Sequence, residues 1–286
     1  MNLPVGSSAG RSSQWGEALP LRRLEARGIE VDLAPLSFAD PLFLIRLRAF
    51  MEWHAGHGSS VHVVPPTSRE VSNYLARMGV AVDLPEGCSC PLSDVRAQAR
   101  EDVLISLTRL LGSQDSDDLE LQIATLLDAH FGSDALGGLF DPFFRTVSEM
   151  CDNAMSHGQS RHGAFVAAQR YQNNRCVLAI GDLGVGIPSH LRRKFPHLVE
   201  DGQAIAEATR EGVTGTDDRR GNGYYWVVDA MRKAAVPRGR LEVWSGRGRL
   251  TMDVQNGEVN SRLWPPSQAD WRLTEGTWVR LGLETA

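Results

Sequence analysis

Apolar residues in the first third of the chain alternate between strand-like runs and a helical stripe. Residues 29–33 predict a short strand, and residues 40–53 carry apolar side chains at helical spacing. A second strand is predicted at 61–64, after which Ser68 is placed to cap a helix that Gly79 ends. This β-α-β-α order predicts parallel strands with helices packed against them.

The second half of the chain gives a less regular pattern. Residues 102–110 fit a strand or a helix equally well, and residues 119–131 predict a helix. One face of a further helix at 143–157 is apolar, through Phe143, Val147, Met150, Cys151 and Ala154. A buried strand at 177–180, a helix at 224–231 and a late strand at 276–281 follow.

Length and composition indicate a globular protein of two domains. The chain has 286 residues, of which 42% are hydrophobic and 23% charged. The predicted organisation is a disordered leader at 1–17, an α/β domain at 18–85, a linker region at 86–118 and a second domain at 119–286.

Charge and cysteine usage narrow the function classes. The net charge of −5 gives no reason to expect nucleic-acid binding. The chain has no apolar run of the ~20 residues that span a bilayer, so no membrane association and a cytoplasmic location are predicted. Cys88 and Cys90 lack the second pair of ligands that a zinc site requires.

The first candidate for chemistry is a pair of polar residues on the helix at 143–157. Glu149 and Asn153 are four residues apart and therefore share a helix face. The Asn oxygen can coordinate Mg²⁺, and the carboxylate can accept a proton from a water or hydroxyl. An ordinary solvated helix face would carry the same residues.

The second candidate follows the strand at 177–180. Asp182 can accept a hydrogen bond from an exocyclic amine, while Gly184 and Gly186 let the backbone turn sharply beside a ligand. A glycine-rich turn without a ligand is the alternative for this segment.

Two further segments complete the set of candidates. Gly221, Asn222 and Gly223 precede a helix, where backbone N–H groups can bind phosphate. They follow a long polar stretch, 189–220, which is either a functional lid with a short helix near 202–210 or a plain surface insertion. Thr277 places a hydroxyl near the start of the last strand.

In this order, the motifs resemble those of the GHKL (Bergerat-fold) ATPase superfamily over residues 119–286. The resemblance implies an α/β sandwich whose helices cover one face of a mixed sheet, with ATP and Mg²⁺ as cofactors. It places Asp182, Gly184, Gly186 and Thr277 around the base and ribose. It places Gly221, Asn222 and Gly223 at the phosphates, Asn153 at Mg²⁺ and Glu149 as the base.

Within the superfamily, residues 148–158 are most similar to the anti-sigma-factor serine kinases, which carry the motif Glu-x-x-x-Asn-Ala-x-x-His-Gly. Histidine kinases usually have Asn in place of Glu149 and an upstream His-Glu pair, which this chain lacks. Two functions are consistent with this resemblance. One is Mg²⁺-dependent phosphoryl transfer from ATP to Ser/Thr or water, and the other is a non-catalytic switch that ATP controls.

Residues 18–85 are similar to a STAS domain, the fold of the proteins that such kinases phosphorylate. The switch hydroxyl of that family is missing, because Pro41 and Leu42 follow Asp40. The resemblance therefore implies a module that scaffolds or senses and a regulatory protein as partner. Superfamily members often dimerise, which also allows a homodimer.

Overall fold

The computed structural model describes residues 21–23, 28–92, 103–111, 140–154, 160–171, 175–213, 223–233, 237–264 and 276–284, with the single positions 118, 121 and 125. The helices of this part are α1 (Pro41–Gly56), α2 (Arg69–Arg77), α3 (Phe140–Asp152), α4 (Gly186–Leu191), α5 (Asp201–Ala208) and α6 (Gly223–Lys233). Its strands are β1 (Leu21–Arg23), β2 (Gly28–Asp32), β3 (Ser60–Val64), β4 (Cys88–Ser89), β5 (Val103–Leu110), β6 (Ala164–Tyr171), β7 (Arg175–Asp182), β8 (Arg238–Ser245), β9 (Gly248–Gln255), β10 (Glu258–Trp264) and β11 (Thr277–Glu284).

The N-terminal elements form a four-stranded sheet of order β1-β2-β3-β4. The predicted parallel pairing of the strands at 29–33 and 61–64 is confirmed, since β2 and β3 run parallel with α1 between them. Asp40 caps α1 by accepting a hydrogen bond from the backbone N–H of Phe43. Ser68 caps α2 in the same way, and Gly79 follows the helix with a φ of +77°. Capping rules therefore predicted α2 correctly, whereas α1 was predicted from the spacing of its apolar residues and its Asp40 cap was not.

The larger sheet has the order β10-β9-β8-β11-β7-β6-β5. Every neighbouring pair in it is antiparallel, so the predicted mixed sheet is wrong for this part of the chain. Short turns join several strands that are adjacent in sequence, such as β8 and β9, which makes those pairs antiparallel. The last strand, β11, then inserts between β7 and β8. The apolar pattern predicted strands but carried no information on their direction.

Helices cover both faces of the larger sheet, whereas the sequence predicted helices on one face. On one face, Val147 of α3 and Val227 of α6 pack with Leu178 and Ile180 of β7. On the other face, α1 packs against the sheet and shares a core with Trp278. Because α1 lies between two sheets, all its residues from position 41 to 52 are buried. The sequence predicted a helix with one apolar face, whereas this helix is buried on every side.

A buried network of ion pairs connects the N-terminus of α1 to the larger sheet. Arg280 of β11 donates to the Asp40 carboxylate at 3.2 Å and to Glu242 of β8 at 2.9 Å. All three side chains are buried, and both neighbouring carboxylates raise the pKa of Arg280 against the lowering effect of burial. The cap of α1 is thus held at the sheet by charge pairing as well as by packing.

Among the described residues, no helix combines the length and the apolar character that crossing a membrane requires.

Candidate functional site

The candidate residues collect at the carboxyl end of β7, on the sheet face covered by α3 and α6. Successive side chains of a strand point to opposite faces, so Asp182 shares the face of Leu178 and Ile180. By the same alternation Thr277 lies on the face of Val279, because Trp278 packs into the core of the opposite face. The two strand ends therefore present Asp182 and Thr277 to the same side.

The Asp182 carboxylate is buried and is held by backbone donors. Its Oδ1 accepts a hydrogen bond from the backbone N–H of Gly184 at 2.7 Å, and the backbone N–H of Thr277 also donates to the carboxylate. Burial raises the pKa of Asp182 to about 7, although both hydrogen bonds act to lower it. An ionised carboxylate has about four acceptor positions, so it can accept further hydrogen bonds from a ligand that carries donors.

One side chain that the sequence did not predict joins the loop after β7 to the start of β11. The Ser245 hydroxyl, at the end of β8, accepts a hydrogen bond from the backbone N–H of Ile187 at 2.9 Å. It donates to the carbonyl of Gly276 at 2.8 Å and lies 3.2 Å from the Thr277 hydroxyl. Ser245 is adjacent to Thr277 only through the β8–β11 pairing, so no local motif could have pointed to it.

Two glycines permit the close approach of these segments. Gly186 has a φ of +74°, and a Cβ there would lie 2.7 Å from Ser245 Oγ. Gly276 has a φ of +82°, and a Cβ there would overlap the carbonyl oxygen of Asp182. Both positions require glycine for its backbone conformation and for the space it leaves.

The substitution Gly276→Ala is expected to lower the free energy of unfolding by about 2 kcal/mol more than Gly257→Ala does. Gly257 has a φ of +79° with nothing within 4 Å of an added Cβ, so it shares the backbone cost of about 1–2 kcal/mol without the overlap. Urea unfolding of both variants measures the difference. Equal losses would show that the contact with Asp182 is not a constraint.

The second group of candidate residues lies at the end of α3. Glu149 and Asn153 are one helical turn apart and half-buried, and the helix widens into a π-type turn at Asn153 and Ala154. A Cβ on Gly223, the first residue of α6, would lie 2.9 Å from Glu149 Oε2 and 3.4 Å from Asn153 Nδ2. The start of α6 therefore approaches both polar side chains closely, which only glycine allows without a shift of Glu149.

The next residue of α6 connects this group to Asp182. Tyr224 is buried in the core that α3, α6 and β7 share. Burial raises the pKa of Tyr224, and the nearby charge of Asp182 raises it further. Gly223 thus lies against Glu149 and Asn153, and Tyr224 packs in the same core as β7, the strand that ends in Asp182.

Several predicted features fall outside the described residues. They are Gly221 and Asn222, the end of the predicted helix after Ala154, most of the predicted helix at 119–131, and residues 214–220 of the predicted lid.

The first part of the predicted lid is packed against the sheet. Leu191, Leu198 and Ala204 form a small core between α4 and α5, which confirms the predicted short helix near 202–210. Arg192 binds Asp201 at 2.7 Å, and the second oxygen of Asp201 accepts from the backbone N–H of Arg247 in the β8–β9 turn at 2.7 Å. These contacts join α4, α5 and the β8–β9 turn.

The donor set of this region suits a magnesium-bound nucleotide. Asn153 and Glu149 offer the oxygen ligands that Mg²⁺ prefers, and the start of α6 offers backbone N–H groups to an anion. Within the described ranges, no group of three or more His, Cys, Asp or Glu side chains could hold a metal ion. A cation at Asn153 would therefore take most of its ligands from phosphate and water, as Mg²⁺ commonly does.

No family model matches the chain, and no curated protein sequence matches it either. Among solved structures, the B-subunit of the DNA gyrase from Myxococcus xanthus is similar at 14% identity, covers 59% of this chain and 44% of that chain, and has a TM-score of 0.28. The 43K ATPase domain of Thermus thermophilus gyrase B, in complex with an aminocoumarin, has 16% identity, coverages of 58% and 39%, and a TM-score of 0.28. The chain spans less than half the length of either.

Proposed function

We propose that this chain binds ATP with Mg²⁺ between the end of β7, the end of α3 and the start of α6, and that it transfers the γ-phosphoryl group to a Ser/Thr hydroxyl or to water. The observation that supports this most strongly is the position of Gly223 and Tyr224. Gly223 lies against the candidate phosphate end at Glu149 and Asn153, and Tyr224 packs in the core shared with β7, the strand that carries Asp182 at the candidate base end.

At the base end, the adenine amino group donates a hydrogen bond to the Asp182 carboxylate. Gly184 and Gly186 keep the loop after β7 narrow enough for the base and ribose to lie against backbone. Thr277 adds a hydroxyl on the same sheet face. The burial of Asp182 strengthens a bond to a ligand donor, because little water competes for the carboxylate.

At the phosphate end, Asn153 provides a side-chain oxygen for Mg²⁺, and the N-terminus of α6 faces the phosphates. Gly223 belongs to this N-terminus, and Gly221 and Asn222 precede it in sequence. Backbone N–H groups at a helix start attract anions because they have no partner within the helix.

The chemical step uses Glu149 as a general base. The carboxylate accepts the proton of the attacking hydroxyl or water, whose oxygen bonds to the γ-phosphorus while the bond to the β–γ bridging oxygen breaks and ADP leaves. Glu149 lies one turn before Asn153, so the base and the metal ligand approach the same phosphate from one helix face.

Calorimetric titration of the full chain with ATP and Mg²⁺ tests the binding step. One ATP per chain is expected, with a lower affinity when EDTA removes the cation. Incubation with γ-labelled ATP then separates free phosphate from label on protein. The proposal fails if no binding is detected at millimolar ATP, and its catalytic part fails if ATP binds but the label stays on ATP.

A second function, an ATP-controlled binding switch without turnover, is favoured by the contacts of α1 behind the site. A Cβ on Gly181, the residue before Asp182, would overlap the Trp278 ring, so β7 and β11 are tightly packed at the site. The Cζ atom of Arg46 in α1 lies over the same ring, 5.6 Å from its centroid. The N-terminal half thus touches the back of the strands that carry Asp182 and Thr277. In this function it is a STAS-like module that presents a surface to a regulatory protein.

Hydrogen exchange with and without ATP distinguishes the switch from a simple enzyme. Under the switch hypothesis, ATP slows amide exchange in α1 (Pro41–Gly56) while no ADP forms. Unchanged exchange in α1 at saturating ATP would remove the support for this function.

A further inference from the structure

Ser245 occupies a position that controls the direction of hydrogen bonds at the base end of the site. It lies on the same sheet face as Thr277 and Asp182, because Leu241 and Val243 of its strand pack into the α3–α6 core. The side chain is 1% exposed, and its hydroxyl contacts three groups: the N–H of Ile187, the carbonyl of Gly276 and the hydroxyl of Thr277.

The Ser245 hydroxyl donates its proton to only one of these three groups. A hydroxyl has one donor and about two acceptor positions. The Gly276 carbonyl can only accept, so the Ser245 proton points to it at 2.8 Å. Ile187 N–H can only donate, and it uses one lone pair. With the Ser245 proton on the Gly276 carbonyl, the donor of a hydrogen bond between the two hydroxyls, which lie 3.2 Å apart, is Thr277.

This arrangement leaves Thr277 Oγ1 as an acceptor toward a ligand. The ionised Asp182 carboxylate beside it is also an acceptor. A base that binds there has to offer donors, as the exocyclic amine of adenine does. A keto oxygen at the same place would face two acceptors and leave them without a partner, which costs binding energy in a buried site.

We propose that Ser245 is a positioning residue that makes this site select an amino over a keto nucleobase, by fixing the Thr277 hydroxyl as an acceptor. The proposal rests on the proposed binding of ATP. It assigns base specificity to a residue that has no contact with the base.

The probe is inosine triphosphate, which carries a keto oxygen in place of the adenine amine and an N1–H donor in place of the adenine N1 acceptor, and is otherwise close in shape to ATP. Because the change at N1 is the same for every variant, the difference in preference between variants reports the effect of Ser245. Affinities for ATP and inosine triphosphate are measured by calorimetry at pH 8, where Asp182 is mostly ionised. Wild-type protein is expected to prefer ATP by roughly 100-fold or more. Ser245→Ala frees the Thr277 proton to point at a keto oxygen, and the preference is expected to fall about tenfold.

A double-mutant cycle separates this effect from damage to the fold. Thr277→Val removes the hydroxyl but keeps the backbone N–H that binds Asp182. In the Thr277→Val background, Ser245→Ala should leave the preference unchanged. The matched control is Thr251→Ala on β9, which removes a buried hydroxyl that accepts from Trp264 Nε1 at 2.9 Å, away from the site, and should keep the wild-type preference.

The outcomes separate the role of Ser245 in base selection from ATP binding itself. If ATP binds but Ser245→Ala keeps the wild-type preference, or changes it equally in the Thr277→Val background, the role of Ser245 is overturned and ATP binding stands. If wild-type protein binds neither nucleotide, the proposed function is overturned together with it.

Discussion

At pH 8 the variant Asp182→Asn is expected to unfold at a higher denaturant concentration than wild-type protein, and to lose affinity for ATP by on the order of 100-fold. The two effects have one cause. The buried carboxylate is costly to the free protein and useful only when a ligand donates to it. Asn keeps an oxygen for the N–H of Gly184 but brings no charge into the buried site.

The pH dependence gives the sign of the stability effect. The pKa of Asp182 is raised from 3.8 to about 7 in the folded protein, so its stabilising contribution is fully present below pH 4 and is lost as the pH rises through 7. The loss amounts to up to about 4 kcal/mol. Asp182→Asn lacks this dependence, so its advantage over wild type should grow between pH 5 and pH 8.

Urea unfolding at four pH values across this range, without nucleotide, measures the difference. Asp253→Asn is the matched control, because it neutralises an exposed carboxylate of β9 that pairs with Arg240 at the surface. A stability difference between Asp182→Asn and wild type that is the same at pH 5 and pH 8 would contradict a buried carboxylate with a raised pKa.

Glu149→Gln is expected to reduce ATP turnover by about 100-fold or more while the dissociation constant for ATP changes by less than about threefold. Gln has the shape of Glu and therefore fits against Gly223. It cannot accept a proton from the attacking hydroxyl, so only the chemical step is affected.

Single-turnover measurements with excess enzyme report the chemical step, and calorimetry reports binding. Glu207→Gln on α5, where the carboxylate pairs with Arg210 at the surface, is the control and should turn over ATP as wild type does. Loss of binding in Glu149→Gln would assign Glu149 a structural role at the start of α6, and unchanged turnover would exclude it as the base.

Local signals in the sequence predicted a large part of the fold. Ser68 and Gly79 act within one helix, so capping rules predicted the bounds of α2. Asp182 ends a strand whose apolar run is visible without any knowledge of pairing. The four-residue spacing of Glu149 and Asn153 likewise follows from helix geometry alone.

Features that depend on contacts distant in sequence were not predictable in this way. The strand order of the larger sheet includes the insertion of β11 between β7 and β8, which leaves no periodic pattern in the sequence. The pairing of Ser245 with Thr277 across that junction has the same origin. In the sequence, Asp40 was only the residue that precedes the missing switch hydroxyl of a STAS-like domain, and its ion pair with Arg280, 240 residues later, could not be predicted.

The complete burial of α1 also depends on contacts distant in sequence and was not predicted. Its apolar residues predicted a helix, but only the packing of a second sheet against it explains why Arg46 and Arg48 are also buried. Arg48 pairs with Glu52 one turn later at 3.0 Å, which makes its burial tolerable.

The most direct test of the proposed nucleotide site is a crystal structure of the chain with Mg²⁺ and a non-hydrolysable ATP analogue. The expected result is one nucleotide with its adenine amine within hydrogen-bond distance of Asp182 and its metal coordinated by the Asn153 side-chain oxygen. A nucleotide bound away from these residues, or crystals without nucleotide at millimolar analogue, would contradict it.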